Sequence, residues 1–219
     1  IEDFAPVMVG MAQKADVPVV VHLDHAATLE YVLRAVRSGF TSVMIDASQQ
    51  PIDDNVAITK QVMQICRTFD VSVEAELGHV SGGEGEHSES EYIYTDIGEA
   101  RRFVEETDVD ALAVAIGTVH GVYKDEPKLS LERLRAIRDV VKKPIVLHGG
   151  SGLSDQDFKN TIEDGVAKVN IFTDLMQAAS ASLKASENAS YMNQSIGVAK
   201  AVKEEAVKKM MVFASNGKA

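Results

Sequence analysis

Short apolar, β-branched runs alternate with helical patterns along the whole chain, and this alternation limits the fold more than any other feature. The runs are Pro18 to His22, Ser42 to Asp46, Ser72 to Leu77, Ala111 to Ile116, Pro144 to Leu147 and Lys168 to Phe172. Each is continuous rather than alternating in polarity, as a parallel strand reads when both of its faces are buried. Between them lie helical spacings. Thr28 caps one carrying Leu29, Val32, Leu33 and Val36; Asp54 precedes Val56, Val62, Met63, Cys66 and Phe69; Thr95 precedes Ala100, Phe103 and Val104; Ser130 precedes Leu131, Leu134, Ile137 and Val141. Ser154 to Asp157 reads as a capping box and Gly165 as a helix stop. Two C-terminal helices are expected within 175–213, and the whole of 1–219 reads as one domain.

Repeated βα units predict a parallel sheet with right-handed crossovers. A closed eight-stranded barrel and an open doubly wound sheet both satisfy that rule. Six strands are visible, and Ile1 to Ala15 already reads as a helix. The expectation is therefore an α/β chain of the (β/α)8 TIM-barrel class, with the first one to two strands absent from this chain. The edges beside Pro18–His22 and Lys168–Phe172 would then be open.

With 22 basic against 33 acidic residues the net charge is −11, which argues against a nucleic-acid partner. The one cysteine, Cys66, excludes a disulfide framework and a cysteine metal site, and its apolar setting predicts a small buried hydrophobe. No apolar run reaches the roughly 18 residues that a membrane span needs. A cytoplasmic protein with no membrane partner is expected.

Polar residues gather where the strands end: His22-Leu23-Asp24-His25, Asp46-Ala47-Ser48, Glu74 to Gly78, Gly117 to Gly121, His148 to Gly152, and Asn170 to Asp174. In a (β/α) barrel that face carries the active site, built from several strand ends at once. His25, His120 and His148 each follow a different strand, and three imidazoles with open positions make a catalytic zinc pattern. Asp24, beside one of these ligands, is placed for general acid/base work. Asp46 and Glu76 could orient ligand histidines or hold a second cation. Lys168 begins its strand, which predicts the wrong end of the barrel for a Schiff base. The stretch from His79 to Glu91 is long and rich in Gly, Ser and Glu; such a loop is expected to move and to close over substrate. Gly149, Gly150 and Ser151 offer backbone N–H groups to an anion, with Asn170 and Thr173 as further donors. If two strands precede Ile1, these loops follow strands seven and eight, where barrels place phosphate.

The motifs HLDH, DAS, EAELG, AIGTVHGVY, LHGGSG and KVNIFTD, in this order, resemble the class II, metal-dependent ketose-bisphosphate aldolases, which include fructose- and tagatose-bisphosphate aldolases. The resemblance runs from Ile1 to about Phe213. It implies one zinc ion on His25, His120 and His148, and catalysis by Asp24. It implies a dihydroxyacetone-phosphate site on Gly121, on Gly149, Gly150 and Ser151, and on Asn170, Ile171, Phe172 and Thr173. A monovalent cation beside the phosphate, and a homodimer or homotetramer, also follow from it. The family's loop glutamate matches Glu84 or Glu86, because the loop here reads Gly82-Gly83-Glu84-Gly85-Glu86. NIFTD differs from the commoner NVNT and NVAT versions, which points to a different aldose preference. The reaction implied is reversible cleavage of a phosphorylated ketose to dihydroxyacetone phosphate and an aldehyde. Two rivals use the same residues: a metal-dependent barrel hydrolase, and an inactive or truncated aldolase homologue.

Overall fold

The computed structural model describes residues 1–78, 80, 94–121 and 127–218. The elements alternate as the sequence predicts: α1 (Ala5–Lys14), β1 (His22–Ala26), α2 (Leu29–Arg37), β2 (Ser42–Ile45), α3 (Ile52–Arg67), β3 (Ser72–Leu77), α4 (Ile97–Thr107), β4 (Ala111–Val114), α5 (Leu131–Val141), β5 (Ile145–Leu147), α6 (Asp155–Glu163), β6 (Val166–Val169), α7 (Thr173–Ala185) and α8 (Tyr191–Val212). Local chemistry sets several boundaries. Thr28 Oγ1 accepts from Tyr31 N, and Ser154 and Asp157 form a reciprocal capping box at α6. Asp96, not Thr95, caps α4 by accepting from Glu99 N. Thr95 is instead buried, accepting from Ala115 N and donating to Leu77 O, so it ties the ends of β3 and β4 together.

The six strands are all parallel and pair in sequence order, β1-β2-β3-β4-β5-β6. A doubly wound sheet reverses its order at a switch point; this one does not. Helices contact their sequence neighbours from α2 through α6, so they form one layer on one face, and the parallel sheet curls as a barrel wall does. β1 and β6 are its two edges among the described strands. No described helix is long and apolar enough to cross a membrane.

The main core lies between helices and sheet. Phe103, Leu112, Leu134, Ile137 and Phe158 are wholly buried there; each such side chain stabilises the fold by about 1.5–3 kcal/mol. Cys66 is buried among them, and burial pushes its thiol up to about 11. Val43, Ile45, Val73, Ala75, Leu77, Leu112, Val114, Ile145 and Leu147 face the helices. Their neighbours along each strand must face the opposite way. Met44, Ala113 and Val146 form a small separate cluster on that face, and it is where the polar strand residues collect.

Two sequence expectations need correction. The run Pro18 to His22 is not the first strand: Val19 and Val20 are exposed, and pairing begins at His22. Thr41 N and Ser42 N still reach Val21 O just before it. Apolar content alone misplaced that strand by four residues. Lys168 does not sit at the far end of its strand. It is the third residue of β6, pairs in register with Val146, and reaches the polar residues described below.

Candidate metal centre

Asp24 and His25 are consecutive, so a regular strand would send them to opposite faces. β1 avoids this. Its register with β2 shifts between Leu23 and Ala26, and His25 adopts φ +47°. That left-handed conformation costs a non-glycine residue about 1–3 kcal/mol, and it brings both side chains to one site.

The ligand atoms of His25, His120 and His148 lie within 4.8 Å of one another. The rings meet nearly at right angles, with centroids 5.2 Å apart for His25 and His120, 4.7 Å for His25 and His148, and 5.8 Å for His120 and His148. His25 Nε2 faces His148 Nδ1 at 2.9 Å. The opposite nitrogens are held by carboxylates. His25 Nδ1 donates to Asp46 Oδ2 at 2.7 Å, and His148 Nε2 donates to Glu74 Oε1 at 2.8 Å. A carboxylate on one ring nitrogen fixes the tautomer and turns the other lone pair inward. Asp46 also accepts from Ser48 N and Oγ. Burial opposes its charge, but these hydrogen bonds outweigh it and hold Asp46 well below the usual carboxylate range. His25 is shifted up: burial pulls its pKa down, and the bond to Asp46 with the charges of Asp24 and Glu76 overcomes that.

Glu74 is only 2% exposed. Burial pushes its pKa up, yet the bonds from His148 and Lys168 prevail and bring it to about 2. Glu76, 1% exposed, goes the other way. Burial and the neighbouring Asp46 charge raise it to about 7, even though its Oε1 accepts from Val80 N. His25, Asp46 and Glu76 form a second group of donors within 4.8 Å. His22 bonds Ser42 Oγ through Nδ1, while Nε2 lies 3.9 Å from Asp24 and 3.8 Å from Glu74; burial and the Lys168 charge pull its pKa down.

Asp24 accepts from Asn170 Nδ2 through both oxygens, each at 3.1 Å. The side chain of Asn170 thus points at the acid/base candidate. Ser151 is buried, and its Oγ accepts from Phe172 N and Asp174 N, tying the Gly149–Ser151 loop to the start of α7. Ile171 packs on the core, Phe172 is exposed, and Thr173 opens α7, which has no side-chain N-cap. Gly149 takes φ +65°, and a Cβ there would lie 2.5 Å from Val119 O. Only glycine lets the His148 loop come so close to the backbone beside His120. Gly121 has φ +92°. Glu84 and Glu86, and the stretch 79–91 except Val80, lie outside the described residues.

Sequence reasoning missed Glu74 and Lys168 as site residues. The signal was present: in EAELG, Glu74 and Glu76 are two apart on a strand and so share a face.

Residues 1–218 match the family described as "Fructose-bisphosphate aldolase class-II". The uncharacterised protein YdjI of Escherichia coli K12 is 46% identical over 220 residues, covering 100% of this chain and 79% of the relative. The crystal structure of the YdjI aldolase from Escherichia coli K12 superposes with a TM-score of 0.91 at 44% identity, covering 100% of this chain and 78% of that one. A candidate fructose-1,6-bisphosphate aldolase from Coccidioides immitis gives a TM-score of 0.91 at 30% identity, with 99% and 78% covered. The match in family, sequence and curled sheet runs the length of the chain, and the protein therefore belongs to the class-II fructose-bisphosphate aldolases, a family of lyases.

Proposed function

We propose that the protein catalyses reversible, zinc-dependent aldol cleavage of a phosphorylated ketose of the fructose- or tagatose-1,6-bisphosphate type, releasing dihydroxyacetone phosphate and an aldehyde. The observation that carries this reading is three imidazoles converging beside a carboxylate held by an amide. The donor set suits zinc: nitrogen ligands, two of them already oriented by carboxylates, with open positions left for substrate. His25 through Nε2, His148 through Nδ1, and His120 would hold the ion. Once bound, it would stabilise negative charge on substrate oxygens as a Lewis acid.

The chain's own residues supply the remaining steps. Asp24 takes the proton from the C4 hydroxyl. The C3–C4 bond breaks, the aldehyde leaves, and the electron pair stays on the dihydroxyacetone phosphate fragment. Glu84 or Glu86 returns a proton to that carbon. Asn170 keeps both oxygens of Asp24 directed, and Asp46 and Glu74 keep two imidazoles in one tautomer. Ser151 Oγ, accepting from Phe172 N and Asp174 N, joins the Gly149–Ser151 loop to the N-terminus of α7, and that helix end is suited to a phosphate. The same reading takes the protein as a cytoplasmic homodimer or homotetramer, with a monovalent cation near the phosphate.

A coupled assay on fructose- and tagatose-1,6-bisphosphate, with and without chelator, tests the reading. Turnover of one of them, abolished by chelator and restored by zinc, is expected. Turnover indifferent to chelator, or none on either sugar, overturns it. Glu84→Gln and Glu86→Gln then identify the proton donor, because only one of them lowers kcat.

A further inference from the structure

The face of the sheet that carries the site holds several carboxylates and one described lysine. Lys168 Nζ donates to Glu74 Oε2 and to Asn170 Oδ1, both at 2.8 Å. Each acceptor passes the constraint on. The other oxygen of Glu74 receives His148 Nε2 at 2.8 Å, and the other end of the Asn170 amide reaches both oxygens of Asp24 at 3.1 Å. We infer that Lys168 is a positioning residue that sets both His148 and Asp24 through these two bonds. The inference rests on the aldolase reading above.

The chemistry of each link gives the direction. An ammonium only donates, so it binds the oxygen of the Asn170 amide and never the nitrogen. The NH₂ group must then face Asp24. Without the ammonium, the amide is free to turn its oxygen toward Asp24, which would repel the carboxylate. On the other arm, the ammonium occupies one Glu74 oxygen and leaves the second for His148. A carboxylate accepts only, so Nε2 of His148 carries the proton and Nδ1 keeps the lone pair that faces His25 Nε2. Glu74 also needs a counter-charge, being 2% exposed. The nearby His22 is a poor one, because burial disfavours its charged form. Lys168 thus joins the metal ligand, just after β5, to the acid/base group on β1, four strands away in the sheet order.

The test uses Lys168→Met, which keeps most of the stem and loses the charge. Zinc affinity is measured by competition with a chromophoric chelator, and kcat and KM are measured at saturating zinc. The zinc dissociation constant should rise about 10–100-fold, the usual cost of losing an outer-shell partner. At zinc saturation kcat should fall about tenfold, from a misplaced Asp24, with KM changed by less than about threefold. Lys168→Cys followed by bromoethylamine rebuilds an ammonium at the same reach. Cys66 is wholly buried and does not compete for the reagent. Alkylation should recover zinc affinity and kcat together, which a general packing defect would not do; circular dichroism of each sample confirms folding. A Lys168→Met protein within twofold of wild type in either quantity overturns the inference, as does an alkylated Lys168→Cys protein with no recovery. A wild type that binds no zinc, or turns over neither bisphosphate, overturns the aldolase reading itself and this inference with it.

Discussion

Asp24 and Glu74 are carboxylates on the same face of the sheet, and their surroundings give them different work. Asp24 has its side chain half exposed and open to a substrate; Glu74 is sealed beneath His148. Asp24→Ala should therefore leave zinc bound and lower kcat by about 10²–10⁴, the range for one acid/base group. Elemental analysis and steady-state kinetics on the same sample check both halves. Glu74 should instead show in stability. Its folded pKa of about 2 lies below the ordinary 4.5. A group depressed on folding contributes stability that is present above the unfolded value and lost as pH falls toward the folded one. Denaturant unfolding of the metal-free protein should thus lose about 3 kcal/mol between pH 4.5 and 2 from this residue. Glu74→Gln should flatten that acid limb, and an unchanged limb would place the linkage elsewhere. Glu76 has the opposite sign: raised to about 7, its contribution is present below pH 4.5 and lost as pH rises through 7. That His25, His120 and His148 would gather, with Asp24 beside His25, was readable in the sequence, because each follows an apolar strand run. Glu74 was written in the same motif as Glu76, but only packing shows that its partners are His148 and Lys168.

At the scale of elements, two local distortions make the site. One is the shift in β1, where His25 at φ +47° lets adjacent residues reach one centre. The other is the glycine loop after β5. Gly149→Ala would place a methyl group 2.5 Å from Val119 O in a backbone region strained for any L side chain. A loss of about 1–3 kcal/mol in stability is expected, and zinc affinity should weaken, since His120 and His148 can no longer approach as closely. Thermal melts and chelator competition on Gly149→Ala measure both; an unchanged zinc dissociation constant would show that the loop does not set the ligand spacing. The helix signals survived translation into structure where a side chain caps locally, as at Thr28 and Ser154. Thr95, which precedes α4 in the sequence, does not cap it, because its hydroxyl bonds distant backbone instead. The first strand failed for a similar reason: Pro18 to Val20 is apolar, but what makes a strand is a partner across from it, and pairing with β2 starts at His22.

For the whole molecule, a metal held by residues from β1, β5 and the loop after β4 should act as a clasp across the sheet. Ligand that binds only the folded state stabilises it by about 2.7 kcal/mol at a hundred times its dissociation constant. For a chain of this size that corresponds to about 5–10 °C in Tm. Differential scanning calorimetry with zinc and with chelator should show the shift in wild type and none in His148→Ala. Light scattering of the same samples reads the oligomeric state. What the sequence determined by itself is the alternation of parallel strands and helices, and the gathering of polar residues at strand ends. Both are local facts, set by side-chain periodicity and by the position of each residue along its strand. Only the tertiary structure decided that the strands pair in sequence order, that β1 bends to present Asp24 and His25 together, and that Lys168 on β6 lies within reach of Glu74 on β3. Those depend on contacts between residues up to 146 positions apart, and spacing along a chain carries no information about which distant groups the curl of a sheet will bring into hydrogen-bonding range.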